Sequence, residues 1–107
     1  MNNATAALFD ALGDPTRRAI VSRVAHGPVS VSALAAPLGI TVTAVGQHLR
    51  VLERAGLLRS MKQGRVRSCA LEPQGLRAIE TWAQACRNLW DARLDHIGAV
   101  LDGMEGD

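Results

Sequence analysis

Hydrophobic positions along the chain recur at three- and four-residue steps between glycine and proline residues, and this pattern predicts a series of helices. Asp14 followed by Pro15 is a typical helix start, and Thr41 supplies another N-cap. Gly39 and Gly56 are placed to end the two helices before them. The predicted helices cover residues 5–12, 15 to about 26, about 32–38 with Ser32 as cap, and 42–55.

Beyond Gly56 the period of the hydrophobic pattern changes to two. This predicts strands at residues 57–61 and 65–71, joined by a loop of Lys62, Gln63 and Gly64. Residues from about 74 to 101 are predicted to form one helix roughly 42 Å long. The expected fold is a single mainly α domain over residues 1–107, with four helices, a small β-hairpin and a long C-terminal helix.

The segment from about residue 32 to 55 has the spacing of a helix-turn-helix. Ala35 is small where the two helices approach, Gly39 occupies the turn, and Val45 faces back onto the first helix. In this motif the second helix enters the major groove of DNA. The hairpin at residues 57–71 completes a winged helix, whose wing can follow a phosphate backbone or a minor groove.

Charge is distributed unevenly along the chain, although the formal net charge is only +2. Residues 47–67 contain six basic side chains and one acidic one, whereas residues 68–107 contain three basic and seven acidic. The basic segment coincides with the second helix of the motif and the wing, which favours a polyanionic partner there. On charge alone, the alternative is an ordinary solvated face. For the whole domain, the alternative is a winged helix that serves as a protein-interaction module without binding DNA.

Several stretches resemble the ArsR/SmtB family of small bacterial winged-helix repressors. They read LFDALGDPTRRAIVSRV, VSALAAPLGITVTAVGQHLRVLERAGLL and GRVRSCAL. The tail LRAIETWAQACRNLWDARLDHI is similar to a branch of the family often encoded beside START-like proteins. The resemblance implies a homodimeric transcriptional repressor that binds a palindromic operator in double-stranded DNA, often in its own promoter.

The second helix of the motif is expected to read DNA because Val45 and Leu49 point inward. Gln47 can form a bidentate contact with adenine, and Arg50 can read guanine or hold a phosphate. The family usually has serine where this chain has Gly46, so that hydroxyl contact is lost. The His48 side chain is expected either to contact a base or, as favoured here, to lie partly buried between helix and wing. The candidate DNA-binding residues are Thr41, Thr43, Gly46, Gln47, His48, Arg50, Lys62, Arg65 and Arg67.

The apolar stripe of the long helix is too long for the rest of one chain to cover, so a second copy is expected to bury part of it. Trp82 and Trp90 share one face, where they either pack in the dimer core or line a ligand pocket. Packing is the favoured interpretation. The candidate interface residues are Leu8, Leu12, Leu76, Trp82, Cys86, Leu89 and Ile97.

No metal site or cofactor is expected. Metal-sensing relatives carry a Cys-x-Cys pair before the recognition helix or a paired Asp/His set on the last helix, and here His96 is the only histidine on that helix. Cys69 and Cys86 suit small hydrophobic positions, with thiol-based redox sensing as the alternative. The effector, if there is one, is not identified by the sequence.

The remaining observations exclude other classes of protein. No apolar stretch is long enough for a membrane span, and residues 1–10 lack the features of a secretory signal. Two cysteines cannot form a disulfide framework, so a reduced, cytoplasmic protein is expected. No nucleophile motif or phosphate-binding loop is present, which argues against an enzyme.

Overall fold

The computed structural model describes residues 1–105, which form five helices and three strands. In chain order these are α1 (Asn3–Leu12), α2 (Pro15–Val24), β1 (Val29–Ser30), α3 (Val31–Leu38), α4 (Val42–Arg54), β2 (Leu58–Gln63), β3 (Val66–Leu71) and α5 (Pro73–Glu105). The predicted winged helix-turn-helix order is confirmed, with β1 as an addition. The last two residues of the predicted domain, 106–107, lie outside the described part of the chain.

Side-chain caps fix where the helices begin. The Asp14 carboxylate accepts a hydrogen bond from the Arg17 backbone N–H at 2.9 Å, and the Thr41 hydroxyl accepts one from the Ala44 N–H at 3.0 Å, both as predicted. The prediction of Ser32 as the cap of α3 was wrong. The helix begins one residue earlier than Ser32, after Ser30, because the chain leaves β1 in an extended conformation and turns directly into the helix.

The three strands form one antiparallel sheet in the order β1-β3-β2. Val29 pairs with Cys69 in β3, and Gln63 pairs with Val66 at the end of the hairpin. The turn is therefore Gly64-Arg65, not the predicted Lys62-Gln63-Gly64 loop. Gly64 has a φ of +61°, which favours glycine and lets the hairpin close tightly.

The core lies between the helix-turn-helix, α2 and the inner face of the sheet. The fully buried side chains include Ile20, Leu34, Val45, Leu49, Leu52, Leu57 and Cys69. Gly39 has a φ of +67° and ends α3, and the Ile40 N–H donates to the Ala35 carbonyl at 3.2 Å, which closes the turn before α4. The geometry of the two motif helices is thus set by backbone hydrogen bonds and core packing.

Helix α5 starts against the end of α4 and then leaves the domain. A Cβ on Gly75 would lie 2.3 Å from the carbonyl oxygen of Gly56, so only glycine permits this close approach. The helix has 33 residues, and the molecule measures 75 × 24 × 22 Å. Its radius of gyration is 20.0 Å, against about 13 Å for a compact domain of this size. The outer part of α5 therefore projects into solvent in the single chain.

Candidate nucleic-acid interface

The recognition helix α4 has a buried face and an exposed face. Val45, Leu49 and Leu52 are fully buried, which confirms the predicted inward orientation of the first two. The opposite face carries exposed polar and basic side chains, and these include Thr43, Gln47, Arg50 and Arg54. Thr41 is also exposed at the helix N-terminus. The structure thus brings hydrogen-bonding and cationic groups together on one convex surface.

His48 lies on the flank of α4 that faces α2. Its Nδ1 is 4.0 Å from the Asp14 carboxylate, and the side chain is half-buried. The prediction that His48 lies between α4 and the wing was therefore wrong. His48 follows buried Val45 by three positions, and this places its side chain on the flank of α4 that faces α2. The Arg17 backbone N–H is the main group that lowers the pKa of Asp14, burial opposes it, and the nearby Arg17 and His48 charges add to it.

The opposite flank of α4 faces the wing and holds an ion pair that the sequence did not reveal. Arg67 in β3 places Nη2 3.8 Å from the Glu53 carboxylate, and the same nitrogen donates to the Ser60 hydroxyl at 3.1 Å. Glu53 Oε1 is buried and accepts no hydrogen bond from residues 1–105. Arg67 therefore spans strand β2 and helix α4, although half of its side chain remains exposed.

The tip of the wing carries the other predicted basic residues. Lys62 lies in β2 directly opposite Arg67, and Arg65 occupies the turn. Both side chains are exposed, as is that of Arg59 further along β2. A groove lies between the wing and α4, and Arg65 and Arg67 give its wing side a positive charge.

That groove separates the first turns of α4 from the wing. It has a volume of about 350 Å³ and is lined by Val31, Ser32, Val42, Gly46, Arg65, Val66 and Arg67. Gly46 is half-buried at its edge, and a Cβ there would meet no atom within 4 Å. The space beside Gly46 is therefore empty.

The predicted dimer residues divide into two sets. Leu8 is 3% exposed and belongs to the chain's own core, against which Leu12 and Leu76 pack. These three were predicted at the interface, but the fold of one chain already buries or partly buries them because α1 and the start of α5 enclose the core. Trp82 packs edge-to-face against Phe9, with ring centroids 4.9 Å apart.

The outer set remains uncovered in the single chain. Cys86 is exposed, and Leu89 is 73% exposed. The same stretch of α5 includes the exposed hydrophobic residues Trp90, Leu94, Ile97, Val100, Leu101 and Met104. Monomeric proteins rarely leave so long an apolar surface in water.

The two thiols have different environments. Cys69 is fully buried, and its Sγ donates to the Val29 carbonyl at 3.5 Å. Burial raises the pKa of the Cys69 thiol, and the Glu53 carboxylate adds to this effect. Cys86 is exposed in the single chain, and its predicted place at the dimer interface stays a prediction. Within residues 1–105, no three His, Cys, Asp or Glu side chains are grouped to hold a metal ion.

No helix in the described chain is long and apolar enough to cross a membrane. The fold and the exposed face of α4 define a winged helix-turn-helix DNA-binding domain. A family model described as "Helix-turn-helix domain" matches residues 12–60.

Proteins that are similar to this chain over most of its length identify the family within this class of DNA-binding domains. The chain is 41% identical over 99 residues to the HTH-type transcriptional regulator Rv2034 of Mycobacterium tuberculosis, covering 92% of this chain and 89% of that protein. A crystal structure of an ArsR family transcriptional regulator superposes with a TM-score of 0.78 at 40% identity, covering 83% of this chain and 98% of the other.

An ArsR-like transcriptional regulator from Rhodococcus sp. RHA1 also has a TM-score of 0.78, at 30% identity over 91% of this chain and 92% of that chain. This protein belongs to the ArsR family of winged helix-turn-helix transcriptional regulators. It is a regulator and not an enzyme.

Proposed function

We propose that this regulator acts as a homodimer, binds a palindromic operator and represses transcription from its own promoter. The exposed face of α4, bordered by the basic wing, is the observation that supports DNA reading most directly. The protein would act on chromosomal DNA in the cytoplasm. Repression would follow from occupation of the promoter by the bound dimer.

The base-reading residues would be those on the exposed face of α4. Gln47 can donate to and accept from an adenine edge, and Arg50 can make a bidentate contact with guanine or hold a phosphate. Thr41 and Thr43 can contact phosphates near the helix N-terminus, where the helix dipole favours anions. Lys62 and Arg65 at the wing would hold the sugar–phosphate backbone.

The uncovered stripe of α5 supports the homodimer. Its exposed hydrophobic side chains extend over several turns of a helix that the rest of the chain does not reach. A two-fold axis through this stripe would give both copies the same contacts and place the two recognition helices one DNA turn apart. A Mycobacterium bovis domain of the same fold, at 21% identity and a TM-score of 0.66, is described as homodimeric.

An electrophoretic shift with the gene's own upstream region tests the DNA proposal. We expect a specific shift that survives excess non-specific duplex. Gln47→Ala should relax sequence preference by about 1–3 kcal/mol for the base pair that it reads. A protein-interaction module would show no shift with this fragment and no enriched sequence from a randomised duplex pool, and that result would reject the proposal.

Leu89→Glu tests the dimer. Because Leu89 is 73% exposed, the charge should leave the fold of the single chain intact. In a dimer it would bury a carboxylate on both sides of the axis, which is strongly unfavourable without a partner charge. We expect a monomer by sedimentation velocity, with the wild-type helical circular dichroism signal and no operator binding.

Asn88→Glu is the matched control, since it adds the same charge one residue away, on the polar face of α5 with Gln84. It should remain dimeric and bind DNA. A Leu89→Glu variant that stays dimeric, or a monomeric wild type that binds a full palindrome tightly at micromolar concentration, would refute the proposed architecture.

A further inference from the structure

Gly46 lies in the middle of the recognition helix, and no contact within the chain explains why this position is a glycine. It has ordinary helical backbone and is not among the glycines with positive φ. A Cβ at this position would meet no atom within 4 Å, so packing does not demand glycine either. Glycine is among the least favourable residues in a helix interior. Neither backbone conformation nor packing within the chain therefore explains a glycine here, which points to contact with a bound molecule as its cause.

The space beside Gly46 has an apolar side. Val42, one helical turn earlier, is 51% exposed, and Val66 on the wing is 54% exposed. Both line the same groove as Gly46, while Arg65 and Arg67 line its wing side. Along the helix, Gly46 directly precedes Gln47, the residue best suited to read a base. The groove thus adjoins the base-reading face and combines aliphatic walls with a cationic border.

We infer that this groove receives the C5-methyl group of a thymine in each operator half-site, with Val42 and Gly46 as the residues that select it. The inference rests on the proposed DNA binding. In the major groove the thymine methyl is the apolar group that distinguishes this base from cytosine, and aliphatic side chains recognise it by contact. The competing occupant is the sugar–phosphate backbone. A phosphate or sugar would find no hydrogen-bond donor on the α4 side of the groove. The Val42 side chain offers none, and the Gly46 N–H is already used by the hydrogen bonds of the helix.

Deoxyuridine substitution tests the inference, because it removes only the methyl group. Half-sites are first obtained by selection from a randomised duplex pool, and each thymine is then replaced in turn. We expect one position per half-site where deoxyuridine weakens wild-type binding about fourfold, the value of one buried methyl group. Replacing both half-sites should weaken it about fifteenfold. At this position 5-methylcytosine should bind more tightly than cytosine.

Gly46→Ala supplies the matched protein variant. The added methyl group fits the fold and favours the helix, so thermal stability should not fall. It should occupy the space beside residue 46, weaken binding to the thymine site and abolish the difference between thymine and deoxyuridine. Gly103→Ala makes the same exchange in α5, where a Cβ also meets nothing, and should leave that difference unchanged.

The possible results of these binding experiments distinguish a failure of the thymine contact from a failure of the proposed DNA binding. Failure to select any sequence would reject DNA reading itself, and the inference with it. Selected half-sites without a methyl-dependent thymine, or a methyl dependence that persists in Gly46→Ala, would overturn the inference alone. Loss of binding on methylphosphonate substitution, with no deoxyuridine effect, would assign the groove to the backbone instead.

Discussion

The salt dependence of DNA binding distinguishes the two arginines at the wing. Arg65 is exposed in the turn, whereas Arg67 faces Glu53 at 3.8 Å and donates to Ser60. Each phosphate contact adds about 0.9 to the slope of log K against log salt. Arg65→Ala removes one contact from each protomer, so the slope of a dimer should become shallower by about 1.8. Its loss of affinity relative to wild type should then shrink about tenfold between 50 and 200 mM salt.

Arg67 is expected to act by holding the wing against α4. The double variant Glu53→Gln/Arg67→Ala removes the ion pair and leaves the net charge unchanged. Because more than a third of the Arg67 side chain is exposed, solvent screens the pair and its contribution is about 0–1 kcal/mol. Because each protomer of the dimer loses one pair, the double variant should bind DNA up to about thirtyfold more weakly, with the wild-type salt slope. Glu53→Gln alone should steepen the slope, because it releases Arg67 toward phosphate.

Fluorescence anisotropy with a labelled operator, titrated at four or more salt concentrations, gives these slopes. Circular dichroism melts show whether each variant remains folded under the same conditions. A double variant whose slope falls by as much as that of Arg65→Ala would mean that Arg67 contacts phosphate directly. The assignment of Arg67 to wing positioning would then be wrong.

Three other predictions concern stability and the thiols. The lowered pKa of Asp14 means that its ionised form stabilises the fold above its ordinary pKa of about 3.9, and that this contribution is lost as pH falls through the folded pKa. The destabilisation caused by Asp14→Asn, measured by urea unfolding, should therefore be present at pH 7 and shrink as the pH falls below that ordinary pKa. Cys69 should resist alkylation in the native protein, whereas Cys86 should react slowly in the dimer and fast in Leu89→Glu, as mass spectrometry would show. Gly75→Ala should lower the melting temperature, because its Cβ would overlap a backbone oxygen.

Local signals in the sequence predicted most of the fold. The caps Asp14 and Thr41 and the left-handed Gly39 are readable because a few adjacent residues determine each of them. Strand β1 was missed because two residues are too few to show a period, and its partner β3 lies about 40 residues away. The hairpin turn was displaced by one to two residues because Gly64 can serve either a three-residue or a two-residue loop.

The candidate DNA-binding surface was predictable on α4, but the contacts of α4 with neighbouring elements and the extent of the dimer interface were not. Exposure of Gln47 and burial of Val45 follow from helical periodicity alone. The pairing of Glu53 with Arg67 joins two elements, so the arginine was indistinguishable in sequence from the other basic residues of the wing. Leu8 was predicted at the dimer interface because an apolar stripe does not reveal whether its own chain or a partner covers it.

Core packing and backbone hydrogen bonds set the angle of the reading face of α4, and a side-chain contact lies on each flank of that face. His48 lies against Asp14 on the α2 side, and Glu53 lies against Arg67 on the wing side, so rotation of α4 would separate one pair or the other. In the part of the chain that the structure describes, Arg50 and Arg54 on the exposed face between these flanks form no ion pair, which leaves them free for DNA. At the end of α4, the Gly56 carbonyl touches Gly75 with no side chain between them. In the proposed dimer, this contact would link the position of α5 at the dimer axis to the position of the recognition helix.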